Sequence, residues 1–220
     1  MTNEELLKRA YAVGFEFEKK YHGCAQCTIG ALYEIFPELK NKDIFRAASG
    51  LGAGVGLTGK GHCGGLSGAV MVLSQLYGRE LEEIDDPEKK RYVAFQLGQR
   101  LVQKFLDEYG TVICQEIHRK LMGRDFDLWD QKDKQSFEHG GAHDRICPSL
   151  IGNAVEWAAQ LILAERATPH SKKKPKGGPP RVPLVPHRDY DTKSDQAVGI
   201  SRTSSKPRNL SSSVSKHKAA

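Results

Sequence analysis

Half of the residues from Gly50 to Gly61 are glycine, and Gly64, Gly65 and Gly68 follow within seven positions. A glycine run of this density resists regular helix or strand, because each glycine gives up more backbone entropy on ordering than any other residue. The stretch must therefore be a loop that turns sharply or brings backbone close to another group. Two chemistries suit it. The loop can cradle a phosphate, or it can bring backbone N–H groups around the side chain that ends it, Cys63.

The phosphate reading is incomplete in sequence. Gly54-Val-Gly-Leu-Thr-Gly59-Lys60-Gly61 follows a Walker A loop until its last position, where Gly61 replaces the Ser or Thr that binds magnesium. The same residues contain Gly54-x-Gly56-x-x-Gly59, a lone dinucleotide fingerprint. Both motifs need a preceding strand, whereas Asp43-Ile-Phe-Arg-Ala-Ala-Ser reads as helix.

Helical periodicity runs through the rest of the chain. Residues 2–20 form an amphipathic pattern with Leu6, Leu7, Ala10, Tyr11, Val13, Gly14 and Phe17 on one side, and Thr2 with Glu5 makes a capping box. Further helices are predicted from Cys24 or Ala25 to Phe36, over 42–48, and from Gly64 to Leu76. Pro87 is expected to open another that reaches Tyr109, followed by 112–122 and 148–166. Residues 124–146 read as polar and irregular, and no alternating run supports a strand. The predicted class is all-α, a compact bundle of about six or seven helices.

Charge divides the chain in two. Residues 168–220 carry 12 Lys/Arg against 3 Asp/Glu, and residues 1–167 carry 21 against 24. The first part is expected to be one α-helical cysteine-containing domain, and the second, rich in Lys, Pro and Ser, a disordered basic tail. Such a tail contacts acidic surfaces non-specifically; it lacks the interleaved aromatics of a specific nucleic-acid binder. No stretch reads as a membrane span of roughly 20 apolar residues. Acidic residues near Met1 speak against a signal peptide, so a cytoplasmic location is expected.

Five cysteines in such a compartment point to metal-binding, redox-active or inert thiols more than to a disulfide framework. Four of them, Cys24, Cys63, Cys114 and Cys147, fall at predicted helix N-termini, with Cys147 as the N-cap before Pro148. Free N–H groups and the helix dipole favour thiolate there, so lowered pKa values are expected. Gly61, Gly64 and Gly65 would let backbone approach the sulfur of Cys63.

Cys63-Gly-Gly-Leu-Ser-Gly68 resembles the CGAxxG element of the redox-active protein family known by its pattern, C_GCAxxG_C_C, and Cys24-Ala-Gln is similar to that family's first cysteine segment. Gly65 stands where the pattern has alanine. The resemblance covers roughly residues 10–165 and implies a redox role, with Cys24, Cys63, Cys114 and Cys147 as the four characteristic cysteines, catalytic or metal-ligating.

Cys27 completes a Cys24-x-x-Cys27 pair, as a redox dithiol or a core residue. His62, His118, His139 and His143 are candidate additional ligands, through the i,i+4 pairs Cys114/His118, His139/His143 and His143/Cys147. Gly140-Gly141 argues against helix around His139. The functional expectation is a shared site holding an iron–sulfur cluster or zinc, or cycling between dithiol and disulfide, in an oxidoreductase or electron-transfer component with a redox partner protein. The alternatives are a structural zinc module and a non-catalytic interaction scaffold.

Overall fold

The computed structural model describes residues 1–168. They form eight α-helices: α1 (Asn3–Tyr21), α2 (Cys24–Ile35), α3 (Lys42–Ala47), α4 (Gly64–Tyr77), α5 (Arg91–Tyr109), α6 (Cys114–Met122), α7 (Gln131–His139) and α8 (Cys147–Ala167). Among the described residues there is no strand, only one isolated antiparallel bridge between His62 and Ile113. The all-α class holds. The predicted tail, 168–220, lies outside the described residues apart from Thr168.

The capping box at the start of α1 forms as predicted: the Glu5 N–H donates to Thr2 Oγ1 at 3.2 Å, and the Thr2 N–H donates to Glu5 at 2.7 Å. The buried stripe of α1 is Ala10, Gly14 and Glu18, at successive i+4 steps, and it faces α8. At Gly14 the two backbones come so close that a Cβ would sit 2.8 Å from Val155 Cγ2 and 2.9 Å from the Ile151 carbonyl oxygen. α2 and α4 also pack on α8, α2 lies against α1 as well, and α5 covers α4. Ile29, Leu32, Leu73, Leu101, Phe105, Ile151 and Ile162 are fully buried between them.

Three expectations change. α5 begins at Arg91 and not at Pro87, because the Asp86 carboxylate caps it from outside. That group accepts the N–H groups of Lys90 and Arg91 at 2.7 and 3.2 Å and pairs with the Arg91 guanidinium at 2.9 Å. Residues 124–146 are not irregular: they contain α7, whose first turn is capped by Asp130 accepting from Lys132 and Asp133 N–H, and a π-helical turn, Ala142–Ile146. Gly140 and Gly141 end α7 just after His139, so they terminate that helix without preventing it. Finally, the π turn runs into α8, and the continuous run Ala142–Ala167 is long and apolar enough, by length and composition, to cross a membrane. Its apolar content serves the interior here, with Ile151, Ala154, Val155, Ala158 and Ile162 fully buried against α1, α2 and α4.

Candidate functional site

The glycine loop acts on cysteines. Ala53, Gly54, Val55, Gly56 and Leu57 all have positive φ, between 45° and 71°, so five successive residues wind left-handed. Each non-glycine residue there costs roughly 1–2 kcal/mol. Hydrogen bonds fold the loop on itself: Gly56 N–H to Gly50 O, Gly59 N–H to Ala53 O and Gly61 N–H to Gly54 O, each 2.9 Å. The wound backbone then turns the Ala53 N–H onto Cys24 Sγ at 3.3 Å. No strand precedes the loop, which follows α3 and a 3-10 turn, so the context of a nucleotide fold is missing.

Beyond the loop, Cys63 and Cys114 are clamped to each other's segments. The Cys63 N–H donates to Val112 O at 2.8 Å, and the Cys114 N–H donates to Gly61 O at 3.0 Å. Gly61 thus holds Cys114 in place through its carbonyl. Gly64 lies directly against Cys24, where a Cβ would meet the sulfur and stand 2.8 Å from the Ala25 nitrogen. Gly65 sits behind Cys63, packed toward Ile151 and Ala154.

Cys24, Cys63, Cys114 and Cys147 line one cavity of about 190 Å³. They come from the starts of α2, α4, α6 and α8. Ile117, Leu150, Ile151 and Phe137 give it apolar walls, and Gly52, Ala53 and Leu57 bring the loop to it. A second wall is polar, made by Glu18, His118, His143, Glu138 and Lys134. His62 and His139 are exposed and do not line it. Cys27 is turned away: it is buried, and its thiol donates to His22 O at 2.9 Å near the end of α1. All five cysteines are free thiols.

Three of the four site cysteines stand at open helix starts, Cys63 as N-cap and Cys24 and Cys114 as first helical residues. Cys147 does not. Its N–H is occupied by Ala142 O in the π turn, so it is neither the N-cap nor at an open end. The expected lowering of thiol pKa values is also reversed. Burial pushes Cys24 up to about 12 and Cys63 up to about 11, and holds Cys114 and Cys147 well above the ordinary thiol value. Backbone N–H groups do act in the expected direction, from Ala53 on Cys24 and from Gly65 and Leu66 on Cys63, but desolvation outweighs them. Cys24, Cys63 and Cys114 also raise the pKa of other site thiols, as neighbouring negative charges do. Without a cation among them, these thiols stay protonated.

Sequence reasoning missed Glu18 and Glu138. Glu18 is 1% exposed, and burial pushes its carboxyl up to about 7, opposed by the Cys27 thiol beside it. Its place on the Ala10–Gly14–Glu18 stripe was a usable signal. The Glu138 carboxylate accepts from His143 Nδ1–H at 2.8 and 2.9 Å, which fixes the ring. His118 Nε2 lies 3.7 Å from Cys147 Sγ. Burial depresses the basicity of both rings, and His118 falls to about 4.

No curated protein and no solved structure gives a significant match to this chain. A family does: residues 22–161 match the family whose description reads "Putative redox-active protein (C_GCAxxG_C_C)". The match includes Cys24, Cys63, Cys114 and Cys147 and spans well over half of the 220 residues, so the chain belongs to the C_GCAxxG_C_C family.

Proposed function

We propose that Cys24, Cys63, Cys114 and Cys147 hold an iron–sulfur cluster, and that the protein is an electron-transfer component serving a redox partner protein. The observation that carries this reading is the convergence of four free cysteines, from four separate helices, on one cavity, with the fifth turned away.

The donor set fits such a group. Four cysteine sulfurs are the usual ligands of a cluster. The cavity, at about 190 Å³, is several times the roughly 30 Å³ share of one water, so it suits a polynuclear group better than one ion. A single zinc with sulfurs at ~2.3 Å would draw four of them to within about 3.8 Å of one another. The tight ligand sets among the described residues, with all donor atoms within 4.8 Å, contain one sulfur at most, that of Cys147. Thiol–disulfide exchange is less well served, since it needs an accessible thiolate. Cys63, Cys114 and Cys147 are all under 9% exposed, and burial keeps them protonated.

When bound, the cluster supplies a one-electron couple. The chain's own residues bind it, shield it and bias it. Ile117, Leu150 and Ile151 keep water from the sulfurs. The Ala53 N–H toward Cys24 and the N–H groups at the start of α4 toward Cys63 stabilise negative charge on sulfur. Such donors raise a cluster's potential. Free thiols throughout suit a reducing compartment, and we assign the protein to the cytoplasm. Contact of the basic residues after Thr168 with acidic surfaces belongs to the same reading.

Anaerobic purification tests it, with an absorbance spectrum and iron, sulfide and zinc analysis of one sample. The expected result is a coloured protein with iron and sulfide in comparable amounts, bleached by a strong reductant. Serine at any one of the four cysteines lowers the iron content, and Cys27→Ala retains it. A colourless protein holding zinc, or one with disulfides among the four, overturns the cluster.

A further inference from the structure

The polar wall of the cavity carries chemistry that a four-cysteine cluster does not use. Glu18 is buried among α1, α8 and the sulfurs, and its Oε2 has no hydrogen-bond partner. The Cys27 thiol stands beside the carboxyl, and the His143 Nε2 lies 3.8 Å from Glu18 Oε1, too far for a hydrogen bond. An unpaired buried carboxylate oxygen is costly, so a group that satisfies it is called for.

His143 is arranged for that group. Glu138 engages its Nδ1 from the outside, which leaves Nε2 directed inward. A carboxylate on one ring nitrogen with the other free is the usual support of a metal-binding histidine. Glu18, His143 and Cys147 together offer one ligand atom each, all within 4.8 Å of one another. His118 Nε2 lies 3.7 Å from the same Cys147 sulfur but falls outside that set. The other tight set, His22, Glu138 and His143, uses an exposed histidine that stacks flat on the His143 ring at 4.0 Å.

We propose that Glu18, His143 and Cys147, with water as the fourth ligand, bind a divalent transition metal ion beside the cysteine cluster. Mixed carboxylate, imidazole and thiolate donors suit zinc or iron(II) and not calcium or magnesium. Cys147 belongs to both donor sets, so its sulfur would be shared if both groups were bound. This goes beyond the cluster reading and stands or falls apart from it, because two of its three protein ligands take no part in the cluster.

Cobalt(II) titration of the full chain, stripped of metal under anaerobic conditions, tests the site. In a Cys24→Ser, Cys63→Ser, Cys114→Ser background only Cys147 is left among the cavity sulfurs. The expected result there is one cobalt per chain with tetrahedral d–d bands and a single-thiolate charge-transfer band. Glu18→Gln or His143→Ala abolishes that binding, and Glu138→Gln weakens it by about 10–100-fold. The same Glu18→Gln change in the otherwise unaltered chain lowers the cobalt stoichiometry by one and spares the multi-thiolate bands, which keeps the test valid if the triple variant fails to fold. Unchanged stoichiometry and affinity in Glu18→Gln and His143→Ala, in any folded background, overturns the proposal. Iron and sulfide analysis of the protein as purified reports on the cluster separately, and its failure leaves the cobalt result standing.

Discussion

The cavity lies on a seam between two apolar clusters of very different depth. The larger gathers residues of α1, α2, α4, α5 and α8 and includes Cys24 and Cys63. The smaller has only Phe137, Ala142 and Cys147 at its centre, with Met122, Phe126 and Leu128 partly buried around them. Few buried contacts mean a low cost of local opening, whereas a deep core opens only with global unfolding. The first two cysteines are thus set in the rigid half of the molecule. Cys147 shares its cluster with the thin cover formed by α7 and its neighbours. The site is built into the core on one side and reached from the other.

The largest effect is expected in the deep half. Gly14→Val would drive side-chain atoms into Val155 and the Ile151 carbonyl, and overpacking of this kind costs about 3 kcal/mol. Denaturant unfolding measures it, and an unchanged midpoint would mean that α1 and α8 yield easily. Phe137→Ala is the matching change in the cover, where the ring is 2% exposed and lies 4.9 and 5.5 Å from His118 and His143. Its cost should fall below the roughly 3–5 kcal/mol of a deep-core phenylalanine, while chelators remove metal markedly faster. Equal losses of global stability in both variants, with no faster chelation, would erase the distinction.

Titration sharpens the same contrast. In the metal-free chain the site thiols keep protons in the folded state that the unfolded chain releases above its ordinary value of 9.0. Stability therefore falls as pH rises through 9 toward 11–12, and metal loading removes that loss because the protons are already gone. Between pH 4.5 and 6.5 two groups oppose each other. Glu18, raised to about 7, makes stability fall as pH rises, and His118, lowered to about 4, makes it fall as pH drops. Glu18→Gln should expose the histidine's acid-side loss in an unfolding series. A Glu18→Gln profile identical to the parent's would mean that Glu18 is ionised at acid pH.

The smallest effect concerns Lys60, which is exposed at the end of the loop. Lys60→Ala should change stability by less than about 0.5 kcal/mol, and calorimetry should find no ATP binding with or without magnesium. Micromolar binding lost in Lys60→Ala would restore a phosphate role to the glycines.

Local features were legible in advance wherever a short-range interaction decides them. The Thr2–Glu5 capping box and the starts of α2 and α4 at Cys24 and Cys63 follow from neighbours within a few residues, whereas α6 starts at Cys114, two residues after the expected 112. α7 was missed because its helix rests on a side-chain cap and a single buried anchor, Phe137, among polar residues. Cys147 was misplaced for a related reason. A π turn occupies its N–H, and that extra backbone hydrogen bond leaves no mark in composition or spacing.

The sequence by itself determined the helical class, the cysteines that open helices and a glycine segment unable to be regular structure, since propensity, capping and periodicity act over a few residues. Only the tertiary structure decided which cysteines share a cavity, that Glu18 is buried beside them and that burial overrides the helix ends in setting thiol pKa values. Those outcomes depend on desolvation and on contacts between distant segments. Cys24 and Cys147 come to one cavity because α2 and α8 both pack in the core, and no local pattern encodes that distance.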